Sequence, residues 1–333
     1  MSRHGLERSV LKQFEADASP RRYYRVQGEG ILLMEDRQDQ VGFAAYLRLS
    51  HHLNVLGLSA PRVFGADPSH GLALVEDFGD STYAACLASG HDEAALYKLA
   101  VEGLLHLHRD PKGREVDQPK YDMSVYLDEL RIFTDWFVPA IAPEIDKQTF
   151  TQSFLALWRD ALTPVANSFD TLVLRDFHVD NLMLLEDRTG VARCGLLDFQ
   201  DGILGPCEYD LVSLLQDARR DLGAGLEGQL LDYYVENAPS HIGAENDIRH
   251  RYALLGAQRH ARILGVFVRL FQRDAKPRYL KFIPRVLAQF QTALVDADLT
   301  AITSFLDAEL PGWADKALML DRDLTTLQGE PDV

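Results

Sequence analysis

Cysteine is scarce in this sequence and is scattered along it. The three cysteines are Cys86, Cys194 and Cys207, and no two of them form a C-x-x-C pair. This spacing argues against a disulfide framework and against a zinc cluster. It is the cysteine usage expected of a protein that works in a reducing cytoplasm.

Long apolar runs are also missing. No stretch of about 18 consecutive apolar residues occurs, so the sequence predicts no membrane span. The N-terminal stretch MSRHGLERSVLKQFEADAS is charged and lacks the apolar centre of a signal peptide. Hydrophobic residues still make up 47% of the 333 residues, which is enough for sizeable cores. At about 100–200 residues per domain, this length favours two domains or lobes.

Positive charge is in the minority. The chain has 34 Lys and Arg against 50 Asp and Glu, for a formal net charge of −16. Nucleic-acid-binding proteins usually carry the opposite balance, so no nucleic-acid partner is expected. An acidic surface can attract a cationic substrate, although a role in solubility is the simpler interpretation.

The first part of the chain has the pattern of a small α+β unit. Residues 4–15 predict a short amphipathic helix, and RRYYRVQGEGILLMED predicts a hairpin that turns at Gly28 and Gly30. The next segment, VGFAAYLRLSHHLNVLGL, has helical periodicity. A second hairpin is predicted in PRVFGADPSHGLALVEDF, with its turn at DPSHG. These elements predict a mostly antiparallel sheet with one helix, ending near residue 77.

The pattern changes after the linker EDFGDSTY, at residues 76–83. Helical periodicity covers 91–109, 123–138, 144–166 and 207–310, and the tail after Pro311 is expected to be loosely ordered. Between the helices, FDTLVLRDF predicts a strand with a polar end, and NLMLLEDRTGVARCGLLDFQD predicts a third hairpin. The predicted organisation is a small β-rich N-lobe at 1–77, a hinge near 77–80 and a larger, mainly helical C-lobe at 78–333. A two-lobed chain usually binds its ligand in the cleft.

The stretch LVLRDFHVDN, at residues 172–181, ends an apolar strand with closely spaced polar residues. Asn181 stands at the start of the third hairpin and Asp198 at its end, so the hairpin should bring them side by side, with Cβ atoms ~5 Å apart. One carboxylate and one amide oxygen suit Mg²⁺, which completes its shell with water and phosphate. Asp176 lies on the same loop and can reach a substrate hydroxyl.

This arrangement resembles that of the protein-kinase-like phosphotransferases, in which D-x-x-x-x-N, a hairpin and D-F follow one another. RDFHVDN together with LLDFQDGILGPCEYDL is similar to the aminoglycoside phosphotransferase and choline kinase branch, where His178 and Asp210 also match. DASPRRYYR, LVEDFGD, LLDFQD and QRHARILGVFVRL further resemble the bacterial anomeric kinases for N-acetylmuramate and N-acetylglucosamine, which serve cell-wall recycling.

The resemblance implies a two-lobed protein-kinase-like α+β fold that uses ATP and Mg²⁺. Asp176 would be the general base, and Asn181 and Asp198 would hold the metal. Arg175 and His178 would support the catalytic loop or contact the substrate. The hinge residues Glu76 and Phe78 would offer backbone groups to adenine. Arg175 could pair with Asp201 or Asp210, and Asp201 could instead contact the substrate.

Two departures from the protein-kinase pattern stand out. Leu174 replaces the histidine that begins the catalytic loop, and the strand ILLMED has no lysine where kinases place their phosphate-binding cation. Arg21 and Arg22, after the turn DASP, are the nearest replacement cations. Ser19 could add a hydroxyl, and the backbone of this turn could bind phosphate.

The predicted acceptor is a small hydroxylated metabolite, above all an amino sugar phosphorylated at its anomeric hydroxyl. The candidate acceptor-binding residues are Arg259, His260 and Arg262, although a salt-bridged helix face is an alternative interpretation of this stretch. An aminoglycoside, choline or a homoserine-like alcohol is an alternative acceptor. A nucleotide-binding pseudokinase is an alternative of another class, which the missing lysine allows and the intact base and metal ligands oppose.

Overall fold

The computed structural model describes residues 10–13 and 21–327 of the chain, with side chains up to residue 320. The described strands are β1 Leu11–Gln13, β2 Arg22–Val26, β3 Ile31–Glu35, β4 Val63–Asp67, β5 Leu72–Glu76, β6 Thr171–Val173, β7 Leu182–Leu184, β8 Cys194–Leu196 and β9 Ile203–Gly205. The described α-helices are α1 Gln40–Val55, α2 Tyr83–Ala88, α3 Glu93–Arg109, α4 Met123–Ile132, α5 Val138–Ile141, α6 Lys147–Ala161, α7 Glu208–Leu215, α8 Leu226–Asn237, α9 Glu245–Gln272, α10 Ile283–Asp296, α11 Thr300–Glu309 and α12 Trp313–Leu327.

These elements form two compact units. The first contains the described residues up to Pro119 together with Thr171–Leu204 and Gly228–Pro239. The second contains Lys120–Asp170, Gly205–Glu227 and the described residues from Ser240 onward. The segment that carries Asp176, Asn181 and Asp198 therefore belongs to the same unit as the N-terminal sheet. The lobe boundary predicted near residues 77–80 stays a prediction.

The first unit is built on a five-stranded antiparallel sheet in the order β1-β2-β3-β5-β4. The β2–β3 and β4–β5 hairpins are the two that the sequence predicts. Helix α1 begins at Asp39, whose side chain accepts a hydrogen bond from the backbone N–H of Gly42 at 2.8 Å, as an N-cap residue does. Its buried side chains include Phe43, Tyr46, Leu49 and Leu53, which recur at helical spacing.

One expectation at the N-terminus is wrong where the structure describes it. The helix predicted over residues 4–15 is replaced at Leu11–Gln13 by strand β1, which pairs with β2. The remaining residues of that prediction lie outside the described ranges. Pairing with the edge of β2 supplies backbone hydrogen bonds, and this tertiary gain outweighs a weak helical pattern.

Helix α9, 28 residues long, is the longest element of the second unit and packs against α4, α7 and α10. It also packs against Phe133–Phe137, a π-helical segment between α4 and α5. At this contact a Cβ added to Gly265 would lie 2.3 Å from the carbonyl oxygen of Ile132. The missing side chain at Gly265 therefore allows the two helices to approach this closely.

The end of the described chain is more regular than the sequence suggests. The expectation of a loosely ordered tail after Pro311 is wrong for residues 313–327, which form α12. Trp313 packs edge-on against Phe290 of α10, with ring centroids 5.9 Å apart. No helix within the described ranges has the length and apolar character needed to cross a bilayer.

Candidate active site

The loop that follows strand β6 has the tight turns expected of a catalytic loop. The strand itself is buried, with Leu172 and Val173 fully shielded from solvent. The N–H of Asp176 donates to the carbonyl of Leu174 at 2.9 Å, and the N–H of His178 donates to the carbonyl of Asp176 at 3.1 Å. The buried strand thus fixes one end of the loop, while the half-buried side chain of Asp176 lies within it.

Asn181 is held against this loop by both its backbone and its side chain. Its N–H donates to the carbonyl of His178 at 2.8 Å, and its side-chain Nδ2 donates to the carbonyl of Asp176 at 3.0 Å. The same Nδ2 lies 3.3 Å from Nε2 of His178. Since the nitrogen of the carboxamide faces the loop, the oxygen is the atom directed elsewhere and is suited to a cation. His178, which is buried, supports Asn181 in this orientation.

Asp198 is brought to Asn181 by the β7–β8 hairpin, as the sequence predicts. Leu182 pairs with Leu196, and the N–H of Leu197 donates to the carbonyl of Asn181 at 2.9 Å. Asp198 is the next residue, and its exposed carboxylate accepts a hydrogen bond from Gln200 at 2.8 Å.

The donor atoms at this position are of the kind that Mg²⁺ prefers. The described residues contain no group of three or more His, Cys, Asp or Glu side chains that could enclose a metal. One exposed carboxylate beside one amide oxygen is a partial ligand set. Mg²⁺ is commonly bound through one or two protein oxygens, with water and substrate phosphates filling the other positions.

Several charges meet around Asp201. Its pKa is raised mainly because the surrounding protein removes water from the carboxyl. The positive charge of Arg175 acts in the opposite direction, and the negative charges of Asp198 and Asp176 add to the rise. Arg21 is a further cation close enough to act on Asp201. The structure therefore brings Arg21, Arg175 and the three carboxylates into one electrostatic neighbourhood.

Arg21 and Arg22 have different surroundings. Arg21 is only 8% exposed, and its Nε donates to Asp36 at 2.9 Å, while its guanidinium lies over the ring of Tyr46 at 5.5 Å. Arg22 is exposed at the start of β2. Ser19 lies outside the described residues. Of the two arginines, Arg21 is the one whose charge acts on the carboxyl of Asp201, beside Asp176 and Asp198.

Tyr46 connects Arg21 to the segment that contains Asp198. Its ring stacks on Phe199, the residue after Asp198, with centroids 5.0 Å apart and an interplanar angle of 22°. Sequence reasoning missed both Asp36 and Tyr46, because neither belongs to a local motif.

The hinge residues have side-chain partners that the sequence did not indicate. Glu76, at the end of β5, is bound by Arg62 and by Arg188. Burial alone would raise the pKa of Glu76, but hydrogen bonds from Arg62 and Arg188 outweigh burial and lower it. Phe78 is half-buried beneath the guanidinium of Arg188.

The three candidate acceptor residues lie on α9, in the second unit. Arg259 is 6% exposed and donates to the hydroxyl of Ser213 at 2.7 Å. His260 is fully buried, 2.7 Å from Oε1 of Gln216. Burial, with a smaller effect of the Arg259 charge, lowers the pKa of His260 to about 3. Arg262 is more accessible, at 22%, and its Nε lies 3.7 Å from a carboxylate oxygen of Glu129.

A buried polar cluster around these residues also escaped sequence reasoning. Glu129 accepts a short hydrogen bond from Tyr121 and a 3.2 Å bond from Gln258. Tyr121 in turn stacks on Tyr126, with centroids 4.1 Å apart. A buried carboxylate among tyrosines is unusual, but only the contacts made in the fold reveal it.

Comparison with known proteins shows which family this chain belongs to. The model of the phosphotransferase enzyme family matches residues 10–244, which is more than half of the chain. The chain belongs to this family. Together with the kinase relatives described next, this match makes the protein an ATP-dependent phosphotransferase.

Two curated relatives of this phosphotransferase carry the same name. An N-acetylmuramate/N-acetylglucosamine kinase of Caulobacter vibrioides is 37% identical over 281 residues, covering 80% of this chain and 75% of that kinase. The enzyme of the same name from Neisseria meningitidis is 34% identical over 285 residues, covering 82% of each chain.

Solved structures confirm the protein-kinase-like fold. An ADP-bound aminoglycoside phosphotransferase has a TM-score of 0.59 at 16% identity, covering 89% of this chain and 97% of its own. A choline/ethanolamine kinase family protein from Mesorhizobium loti has a TM-score of 0.56 at 12% identity, covering 95% and 93%. At these identities the likeness concerns the fold alone.

Proposed function

We propose that this kinase uses ATP and Mg²⁺ to phosphorylate the anomeric hydroxyl of an amino sugar, N-acetylmuramate or N-acetylglucosamine. The observation that carries the proposal is the loop from Asp176 to Asn181, joined to the hairpin that ends at Asp198. The names of the relatives from Caulobacter and Neisseria support this choice of acceptor.

The nucleotide would be held by the first unit. Asn181 and Asp198 would hold Mg²⁺, which when bound neutralises charge on the phosphates. Arg21 would add a fixed positive charge, and the backbone of Glu76 and Phe78 would meet the adenine edge. Phosphoryl transfer depends mostly on this kind of positioning and charge stabilisation.

Asp176 would orient the acceptor hydroxyl and accept its proton. An anomeric hydroxyl is more acidic than an ordinary sugar alcohol, so it makes a smaller demand on the base. Arg175 would support the loop by balancing the charge of Asp201, and His178 would support it by orienting Asn181. Asp201 would then be a neighbour of the reacting groups.

The acceptor would be recognised by the helical region that contains α9. A lactyl carboxylate can receive two parallel hydrogen bonds from an arginine. Both arginines have side-chain partners, Ser213 and Tyr209 for Arg259 and Glu129 and Tyr209 for Arg262, but Arg262 is the more accessible of the two. Arg262 is therefore the stronger candidate for binding a carboxylate, and His260 would support the helix.

The proposed location of the enzyme is the cytoplasm. An ATP-dependent role and three buried free thiols both fit this compartment.

The experiment that tests the proposal is a screen of ADP release with MgATP and a panel of acceptors. The panel contains N-acetylmuramate, N-acetylglucosamine, kanamycin, choline and homoserine. We expect turnover with the two acetylated sugars above the level without acceptor. Turnover only with kanamycin, choline or homoserine would replace the acceptor, and ATP binding without turnover of any acceptor would favour a pseudokinase.

A further inference from the structure

An arginine in the loop of the β7–β8 hairpin contacts the hinge residues Glu76 and Phe78. Arg188 lies in the loop between β7 and β8, and its Nη2 donates to Oε1 of Glu76 at 2.6 Å. Its guanidinium carbon also lies 4.9 Å from the centre of the Phe78 ring. Arg188 is 20% exposed and Glu76 is 12% exposed, so both groups are largely shielded from water. Shielding makes a charge-assisted contact stronger than it would be on an open surface.

Phe78 is in turn seated on the body of the same hairpin. A Cβ added to Gly195, in the middle of β8, would lie 3.0 Å from two carbons of the Phe78 ring and 2.9 Å from Cβ of Met183. Only a residue without a side chain leaves the ring this close to the strand. Phe78 therefore contacts the hairpin at two places, the backbone of β8 and the guanidinium of Arg188.

The second arginine on Glu76 is a different kind of partner. Arg62 donates to the Glu76 carboxylate at 3.0 and 2.9 Å, but it is 62% exposed. It also lies over the ring of Phe64, 5.9 Å from its centre, on the sheet side of the hinge. Because Arg62 is more exposed than Arg188, water screens its ion pair with Glu76 more strongly. The two arginines thus offer a matched comparison, because both bind Glu76 and only Arg188 comes from the hairpin.

We propose that Arg188 is a positioning residue that sets the nucleobase site at Glu76–Phe78 relative to the metal ligands Asn181 and Asp198. The hairpin that Arg188 caps starts after Asn181 and ends just before Asp198. Its contacts with Glu76 and Phe78 give the adenine site and the metal site a common rigid support. The inference rests on the proposed function, since it takes the hinge as the site of the nucleobase.

The test separates nucleobase binding from phosphate binding. The full chain, its Arg188→Met variant and an Arg62→Met control are titrated by calorimetry with adenosine and with magnesium tripolyphosphate. We expect Arg188→Met to weaken adenosine binding about tenfold, the factor that the loss of one charge-assisted hydrogen bond corresponds to. Its affinity for tripolyphosphate and both affinities of Arg62→Met should stay within about twofold of the unchanged chain.

Kinetics supply the second readout. Arg188→Met should raise KM for ATP and leave kcat unchanged, whereas Arg188→Lys, which keeps the charge, should recover part of the loss. The proposal is overturned if Arg188→Met binds adenosine as the unchanged chain does, or if Arg62→Met is impaired to the same degree. A chain that binds both ligands as expected but turns over no acceptor would leave this inference standing and remove the proposed function.

Discussion

Two charged residues of the candidate active site have backbone conformations that residues other than glycine rarely adopt. Arg175 has φ of 70° and Asp198 has φ of 56°, both in the left-handed region. A non-glycine residue in this region costs of order 1–3 kcal/mol, and such residues cluster at functional sites. At these two positions the backbone is strained where the loop and the hairpin present their charges.

The proposed base, Asp176, is the first residue to test. Replacing Asp176 by Asn keeps the size of the side chain and removes its ability to accept a proton. A positioned base contributes roughly 10²–10⁴-fold, so kcat should fall by about that factor while ATP affinity changes little. Steady-state kinetics with a competent acceptor measure both quantities. Turnover within about threefold of the unchanged enzyme would show that Asp176 is not the base.

The two proposed metal ligands, Asn181 and Asp198, are expected to differ in their effect on Mg²⁺ binding. Asp198→Ala removes the charged ligand and should abolish the gain in nucleotide affinity that Mg²⁺ provides. Asn181→Ala should weaken that gain less, since water can replace a neutral oxygen. Calorimetric titration of ATP with and without Mg²⁺ measures the gain directly. An Asp198→Ala chain that keeps the full effect of Mg²⁺ would remove Asp198 from the metal site.

Among the secondary-structure elements, those that local sequence patterns determine were predicted correctly. The hairpins at β2–β3, β4–β5 and β7–β8 could be predicted because turn residues and alternating apolar residues lie close together in sequence. Strand β1 and helix α12 could not, because pairing with β2 overrides the helical pattern of β1, and α12 is stabilised by packing against the non-adjacent helices α10 and α5.

The close contact between Gly265 of α9 and Ile132 of α4 predicts that a side chain at Gly265 lowers the stability of the fold. Gly265→Ala would place a methyl group 2.3 Å from the Ile132 carbonyl oxygen and should lower the free energy of unfolding by about 1–3 kcal/mol. Gly103 in α3 is the control, because its Cβ would meet nothing within 4 Å. Gly103→Ala should be neutral or raise stability by up to about 1 kcal/mol. Urea unfolding curves of both variants measure this, and equal effects would contradict the close contact.

The candidate site shows the same limit at the scale of the whole molecule. A motif predicts Asp176, Asn181 and Asp198 as site residues, and the hairpin between Asn181 and Asp198 is as predicted. The pair of Arg21 with Asp36, the stack of Tyr46 on Phe199 and the Arg188 contact join residues 15 to 153 positions apart. No spacing in the sequence marks such contacts, since folding alone creates them.

Acid sensitivity of the whole fold follows from His260. Its pKa is lowered to about 3 in the folded chain, against about 6.5 when unfolded. Between these values only the unfolded state takes up the proton. The contribution of the buried, neutral His260 to the free energy of unfolding is therefore complete above pH 6.5 and is lost as pH falls toward 3. The loss is about 1.4 kcal/mol per pH unit in this window.

A comparison with His260→Gln isolates this effect. Glutamine keeps a side-chain N–H for Gln216 and does not titrate. The free energy of unfolding should therefore fall less between pH 7 and pH 5 in the variant than in the unchanged chain, whatever its value at pH 7. Urea unfolding at the two pH values measures the difference, and equal losses in both chains would show that His260 does not titrate as the structure indicates.

Phosphorus NMR of the reaction product tests the proposed reaction most directly. The protein is incubated with MgATP and either N-acetylmuramate or N-acetylglucosamine, with the Asp176→Asn variant as control. We expect a new, acid-labile sugar 1-phosphate signal that the variant forms far more slowly. An acid-stable phosphate at another hydroxyl, or no sugar phosphate from either substrate while kanamycin or choline is phosphorylated, would contradict it.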